Sequence, residues 1–201
     1  LDTGTGQVAL QSGRKVEAFW IPGRPVMMAP IPATVKDSTL VPNTAVKQVG
    51  YPAAKITKTN ESVLLTQPGL KGFAYAIGVV WREIPGGIEL AAAMESRQDG
   101  GNSAATVETL CRKALTDGWN PSKKANDKWW KDFWAVSDVT IPDTAIQKQY
   151  DLAMYYYGAG SRKGCPPLPL QGVWTADQGG LPPWKGDYHH DMNTQVIYCA
   201  Y

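Results

Sequence analysis

The sequence predicts a mixed α and β chain, an antiparallel β half of sandwich type followed by a helical half. Three observations predict it. Residues 1–100 contain short runs with apolar–polar character separated by Pro/Gly pairs. After Asp99-Gly100-Gly101-Asn102-Ser103 the apolar spacing changes from a period of two to a helical period. Six of the eight Trp and seven of the nine Tyr then fall after residue 100, as a large helical core or an aromatic binding surface would require.

In the first half, Lys15-Val16-Glu17-Ala18-Phe19-Trp20 alternates as a half-buried strand does. Val46–Val49, Ser62–Gln67, Phe73–Arg82 and Gly87–Glu95 are further predicted strands. Pro22-Gly23, Pro42-Asn43, Pro68-Gly69 and Pro85-Gly86-Gly87 punctuate them. No helical pattern lies between these runs, which disfavours parallel α/β and favours an antiparallel sandwich.

In the second half, Val107, Leu110, Cys111, Ala114 and Leu115 form a helical stripe over 104–117, with Ser103 as the expected N-cap and Gly118 as the residue after the C-terminus. Asp127–Trp134 reads as a short helix with Trp130 and Trp134 on one face. Pro142-Asp143 opens a predicted helix to about Tyr157, with Ile146, Tyr150, Ala153, Met154 and Tyr157 on its buried side and Gly158 and Gly160 stopping it.

Composition narrows the function. Twenty Lys+Arg stand against 18 Asp+Glu, a net +2 with scattered basic residues, so the chain lacks the electrostatic footprint of a nucleic-acid binder. The longest apolar run, Phe73–Trp81, is well short of the roughly 20 residues a membrane helix needs. Neither a nucleic acid nor a membrane is therefore expected as a partner. Cys111, Cys165 and Cys199 are too few and too far apart for a disulfide scaffold or a CxxC metal site. The chain begins at Leu1 and ends on the apolar Ile197-Tyr198-Cys199-Ala200-Tyr201, from which a segment of a longer protein is expected.

The densest polar cluster is Asp187-Tyr188-His189-His190-Asp191-Met192-Asn193-Thr194-Gln195. A carboxylate there, at Asp191, beside Asn193, suits activation of a water molecule, provided it lies within hydrogen-bond reach of it. Helix capping is the alternative, since Asp and Asn are favoured caps. His189, His190 and Asp191 are potential metal ligands, but adjacent side chains rarely converge on one ion and no HxxxH or CxxC spacing accompanies them, so no metal is expected. No cofactor motif is found: GxSxG, GxxxxGK[ST] and a strand-to-helix GxGxxG are all missing from the sequence. Trp174 and Trp184, in a Pro/Gly-rich stretch, suit either packing or stacking against sugar rings.

Leu170-Gln171-Gly172-Val173-Trp174, then Pro182-Pro183-Trp184, then Asp187–Tyr198 resemble glycoside hydrolase family 95, the family of inverting α-L-fucosidases and some α-L-galactosidases. Its members carry a similar LQG-x-W, PPW and a Tyr-His segment leading into N-x-N-x-x-x-N-Y. Ser161-Arg162 after a Tyr-rich helix resembles the same family's helix end. The resemblance is clear over about residues 128–201. It implies residues 1–100 as part of a β-sandwich, 101–141 as a helical linker, and 142–201 as the first helices of an (α/α)₆ catalytic barrel.

The resemblance also implies roles. Asn193 matches the second asparagine of the N-x-N element, which helps orient the attacking water. Asp191 replaces the first, so its carboxylate either serves as base itself or marks a different sugar. His189 matches the substrate-contacting His, and His190, Tyr188, Trp174 and Trp184 are the further expected substrate contacts. The general acid of the family lies downstream, so the chain alone is expected to be inactive. An inverting pair stands roughly 6.5–9.5 Å apart, which requires carboxyls from different barrel helices. The expected function is removal of terminal α-L-fucosyl or α-L-galactosyl residues from oligosaccharides or glycans, working with the remainder of the same polypeptide. The alternatives are another sandwich-plus-(α/α)₆ glycosidase or phosphorylase, or a non-catalytic carbohydrate-binding relative. A secreted or periplasmic location is expected from the substrate class alone.

Overall fold

The structure, a computed structural model, describes residues 8–11, 15–32, 40–97, 102–137, 139–162, 167–169, 180–181 and 187–198. Its contacts divide the chain into two units, one of residues 1–42 and 46–132, the other of residues 43–45 and 133–201.

The first unit is an antiparallel sheet with a helix laid on it. Its strands are β1 (Val8–Gln11), β2 (Lys15–Trp20), β3 (Val26–Ile31), β4 (Lys55–Lys58), β5 (Ser62–Pro68), β6 (Ala74–Ile84) and β7 (Gly87–Arg97). They form one seven-stranded sheet in the order β1-β2-β3-β7-β6-β5-β4. The long β6–β7 hairpin forms its centre, closed at the Pro85-Gly86 turn, with Ile84 opposite Gly87 and Ala74 opposite Arg97. Four predicted strands are found close to where alternation puts them. A single sheet, rather than two facing sheets, is what the described residues contain.

Helix α1 (Ser103–Asp117) covers one face of that sheet. Its Val107, Cys111, Ala114 and Leu115 pack with Phe19, Val26, Met28, Leu64, Ala76, Val80, Ala91 and Ala93. Pleating sends alternate residues to the other face, where Val63, Trp81 and Ile88 form a second buried cluster with Ile31, Leu40, Val79 and Leu90 against it. Arg82 and Glu89 are register partners; the Arg82 Nε–H donates to Glu89 Oε2 at 2.7 Å, which satisfies a carboxylate that is otherwise buried.

Several sequence expectations are corrected here. Val46–Val49 is not a strand but part of a 3₁₀ helix, Thr44–Val49. The Asn43 side chain accepts from the Ala45 N–H at 2.9 Å and turns the chain, and Gly50 at φ +80° ends it. β3 is not among the strands predicted from sequence; its Val-Met-Met-Ala-Pro-Ile lacks alternation and contains Pro30. The ladder from β3 to β2 involves only Met27 and Met28, so Pro30 lies beyond it, where a missing N–H is tolerated. All four β4 residues are exposed, and the ladder with β5 is what makes it a strand.

The helices also depart in detail. The N-cap of α1 is Asn102, whose side chain accepts from the Ala105 N–H at 3.0 Å, and Ser103 is the first helical residue. Gly118 closes α1 as expected: at φ +85° it turns the chain while its N–H donates to Ala114 O, and its carbonyl then accepts from Ser122 N. Helix α2 is accordingly twice as long as expected, Trp119–Trp134, since Pro121 falls in its first turn. Trp130 is buried and Trp134 half-buried, and Trp119 packs against Phe19 in a tilted contact with ring centroids 4.7 Å apart.

The second unit contains α3 (Thr144–Gly160) and α4 (Met192–Tyr198). Asp143 is the N-cap of α3, its carboxylate accepting from Ala145 N (2.8 Å) and Ile146 N (3.1 Å), so Pro142 precedes the helix rather than opening it. Met154 is buried and Tyr150, Ala153 and Tyr157 are half-buried, as expected; Ile146, expected inside, is 57% exposed in the opening turn. Gly158 is buried within the helix, which ends after Gly160 against Leu168.

Candidate active site

The polar cluster of the second unit occupies the approach to α4. In the extended residues before a helix, side chains at alternate positions fall on the same side. The Tyr188 and His190 rings accordingly stack, with centroids 5.9 Å apart and planes inclined by 30°. Asp187 and His189, the alternate pair, bring Oδ2 within 3.7 Å of Nε2. Both pairs are open to solvent, Tyr188 being 42% exposed.

The chain then turns through His190-Asp191 into the helix. Asp191 O accepts from Thr194 N at 2.9 Å and from Gln195 N at 3.2 Å, which puts Asp191 at the N-cap position. Its side chain does no capping: the carboxylate is exposed and makes no hydrogen bond among the described residues. Asn193 is exposed in the first turn. At Asp191 the main-chain carbonyl starts the helix while the carboxylate faces solvent.

One contact escaped sequence reasoning. The Thr194 hydroxyl donates to the His189 carbonyl at 2.6 Å, across the turn that contains Asp191. Nothing in the sequence distinguishes this Thr from any helix-surface Thr; the signal is its place three residues after the N-cap, where a side chain can reach back over the helix start. Asp187, beside His189, was counted in the cluster but not expected as its partner.

Trp174 and Trp184 lie outside the described residues, as do the side chains of Ile197 and Tyr198 and all of Tyr201. Near the end of the chain Met192 and Val196 are exposed. At the end of α3, Arg162 Nε donates to Gly158 O at 2.9 Å, bringing a guanidinium to the free carbonyls of the helix terminus. No group of three or more His, Cys, Asp or Glu suited to a metal ion occurs among the described residues. Among them, too, no helix is long and apolar enough to cross a membrane.

Residues 114–200 match the glycosyl hydrolase family 95 catalytic domain, in agreement with the resemblance read from the motifs. A stretch of 51 residues is 39% identical to a protein named probable alpha-fucosidase A from Aspergillus niger, covering 25% of this chain and 6% of that protein. The fold is similar to that of a putative kojibiose phosphorylase from the human microbiome, with a TM-score of 0.59 and 13% identity over 92% of this chain. The match spans 30% of that phosphorylase chain.

Proposed function

We propose, from the match of residues 114–200 to the family 95 catalytic domain, that this chain is part of an inverting exo-glycoside hydrolase. It removes terminal α-L-fucosyl or α-L-galactosyl residues from oligosaccharides or glycans. That match carries the reading, because it takes in the whole Asp187–Gln195 cluster. The likeness of a 51-residue stretch to a probable alpha-fucosidase supports the sugar class. The chain contributes a strand-rich portion of a β-sandwich, a helical linker over 101–141, and the first helices of an (α/α)₆ barrel over 142–201. The enzyme works outside the cytoplasm, where such glycans are met.

In this reading Asp191 faces the water that attacks the anomeric carbon, as base or as a partner of a base on another barrel helix. Its exposed, unbonded carboxylate supports that role, since a general base must reach its water unencumbered. Asn193 orients the water and a sugar hydroxyl. His189 donates to the sugar, steadied by Asp187. The stacked Tyr188–His190 pair offers an aromatic edge to the sugar ring. Trp174 and Trp184 supply further stacking surface. The general acid comes from the rest of the polypeptide, so the chain alone is inactive.

The test is to incubate the full-length protein with aryl α-L-fucoside and α-L-galactoside and follow the anomeric configuration of the released sugar by NMR. Release of the inverted β-sugar is expected; a retained α-sugar, or no release, overturns the reading. The likeness in fold to a kojibiose phosphorylase supports phosphorolysis as the second reading. There, cleavage requires inorganic phosphate and yields a sugar phosphate.

A further inference from the structure

The turn bearing the proposed catalytic groups is closed on itself by one side chain. Its own backbone supplies two hydrogen bonds, from Thr194 N and Gln195 N to Asp191 O, as any helix start does. The third is different: Thr194 Oγ1 donates to His189 O at 2.6 Å, five residues back and outside the helix. These bonds tie His189 and Asp191 to the same residue, so the peptide between them cannot rotate without breaking one of them. Thr194 is half-buried while Asp191 and Asn193 are exposed, and a β-branched side chain in a helix has few rotamers to lose.

We infer that Thr194 is a positioning residue of the proposed site, its hydroxyl clasping the His189 carbonyl and thereby setting the directions of the His189 imidazole and the Asp191 carboxylate. This rests on the glycosidase reading above. The clasp acts on two groups with different tasks, one contacting sugar and one facing water, and holds their separation constant through the catalytic cycle. A group displaced by about 1 Å can cost up to roughly 100-fold in rate, so a single hydrogen bond at this point has a disproportionate effect on turnover. Position makes this Thr special, because its hydroxyl reaches back across the turn to the His189 carbonyl.

The experiment compares full-length wild type, Thr194→Val and Thr194→Ser on an aryl α-L-fucoside, with thermal melts alongside. Val matches Thr in shape and lacks the hydroxyl; Ser keeps the hydroxyl and lacks the methyl. We expect Thr194→Val to lower kcat by roughly 10- to 100-fold with KM within about threefold of wild type, and Thr194→Ser to recover most of the loss. Amide exchange at Thr194 and Gln195 should be faster in the Val variant than in the Ser variant. Three results would overturn the inference: full kcat in the Val variant, a lowered melting temperature with unchanged kcat per folded molecule, or a Ser variant as slow as Val. An active wild type beside an unimpaired Val variant defeats this inference alone. A wild type inactive on every aryl glycoside, with and without phosphate, defeats the glycosidase reading beneath it.

Discussion

A β-carbon on Gly78 would lie 2.5 Å from Cγ1 of Val107, and equally close to Cδ2 of Leu64. Gly78 is the bare place in the middle of β6 on which α1 rests. Cys111, one turn along from Val107, points its Sγ at Gly78 O from 3.8 Å. The sheet and helix of the first unit are therefore joined by contact of backbone with side chain, a separation set by the missing methyl.

Gly78→Ala should accordingly destabilise the protein by roughly 1–3 kcal/mol, the usual result of forcing a methyl into a packed core. Urea denaturation followed by tryptophan fluorescence measures it, through the midpoint at unchanged slope. A midpoint equal to wild type would mean that the helix yields at no cost.

The Cys111 thiol is pushed up to about 12 by burial. Only the thiolate reacts with alkylating reagents. Iodoacetamide at pH 8 should leave Cys111 unmodified in the folded protein and modify it fully in urea, with mass mapping to identify the site.

Asp117 accepts from Arg24 Nη1 at 2.6 Å and from Lys113 Nζ at 2.9 Å, and these two bonds, Arg24 first, hold its carboxyl below the usual carboxylate range. In the unfolded chain the same carboxyl takes up its proton at higher pH. The stabilisation is therefore complete above the ordinary aspartate range and disappears as pH falls through the lowered folded value. Asp117→Asn should lower the melting temperature at neutral pH and show a flatter acid limb, the two proteins converging at the lowest pH.

Asp143 satisfies two free N–H groups at the start of α3. Asp143→Ala should cost about 1 kcal/mol, and Asp143→Asn much less, because the amide oxygen also accepts. Chemical denaturation of both variants separates the cap from any effect of charge.

Asp191→Asn tests the proposed base in the full-length enzyme. It keeps side-chain size and removes the charge, and the capping at this position comes from the main-chain carbonyl, which the substitution leaves in place. If the carboxylate activates water, kcat should fall by ~10²–10⁴-fold with KM little changed. Wild-type turnover would move the base to another part of the polypeptide and leave Asp191 as a specificity residue. Asn193→Ala should lower kcat in either case.

The elements read correctly from sequence are those whose signal is local. Lys15–Trp20 is a strand as its alternation predicts, although Phe19 is the residue it buries and Trp20 is 52% exposed, and 104–117 shows a helical stripe because α1 lies on the sheet. The residues around Asp187–Gln195 were legible as a motif for the same reason: their identities lie contiguously in the chain. Val46–Val49 has its two valines three residues apart, a spacing that suits a helical turn better than a strand, and Asn43 and Gly50 bracket a 3₁₀ helix around it.

What the sequence determined by itself was thus the order of β then α, the helix-ending Gly118, the family to which residues 114–200 are similar, and the residue types available for chemistry. What only the tertiary structure decided was geometry between residues that sequence spacing does not connect. β3 and β4 are strands because β7 and β5 lie beside them, not because of any pattern of their own. Ile146 is exposed in the opening turn of α3, since an apolar side chain by itself does not dictate which way a helix faces. The bend that stacks Tyr188 on His190 and brings the Thr194 hydroxyl to the His189 carbonyl arises from backbone dihedrals at the helix start. Composition leaves those dihedrals open, and the hydrogen bonds they allow exist only once the turn has formed.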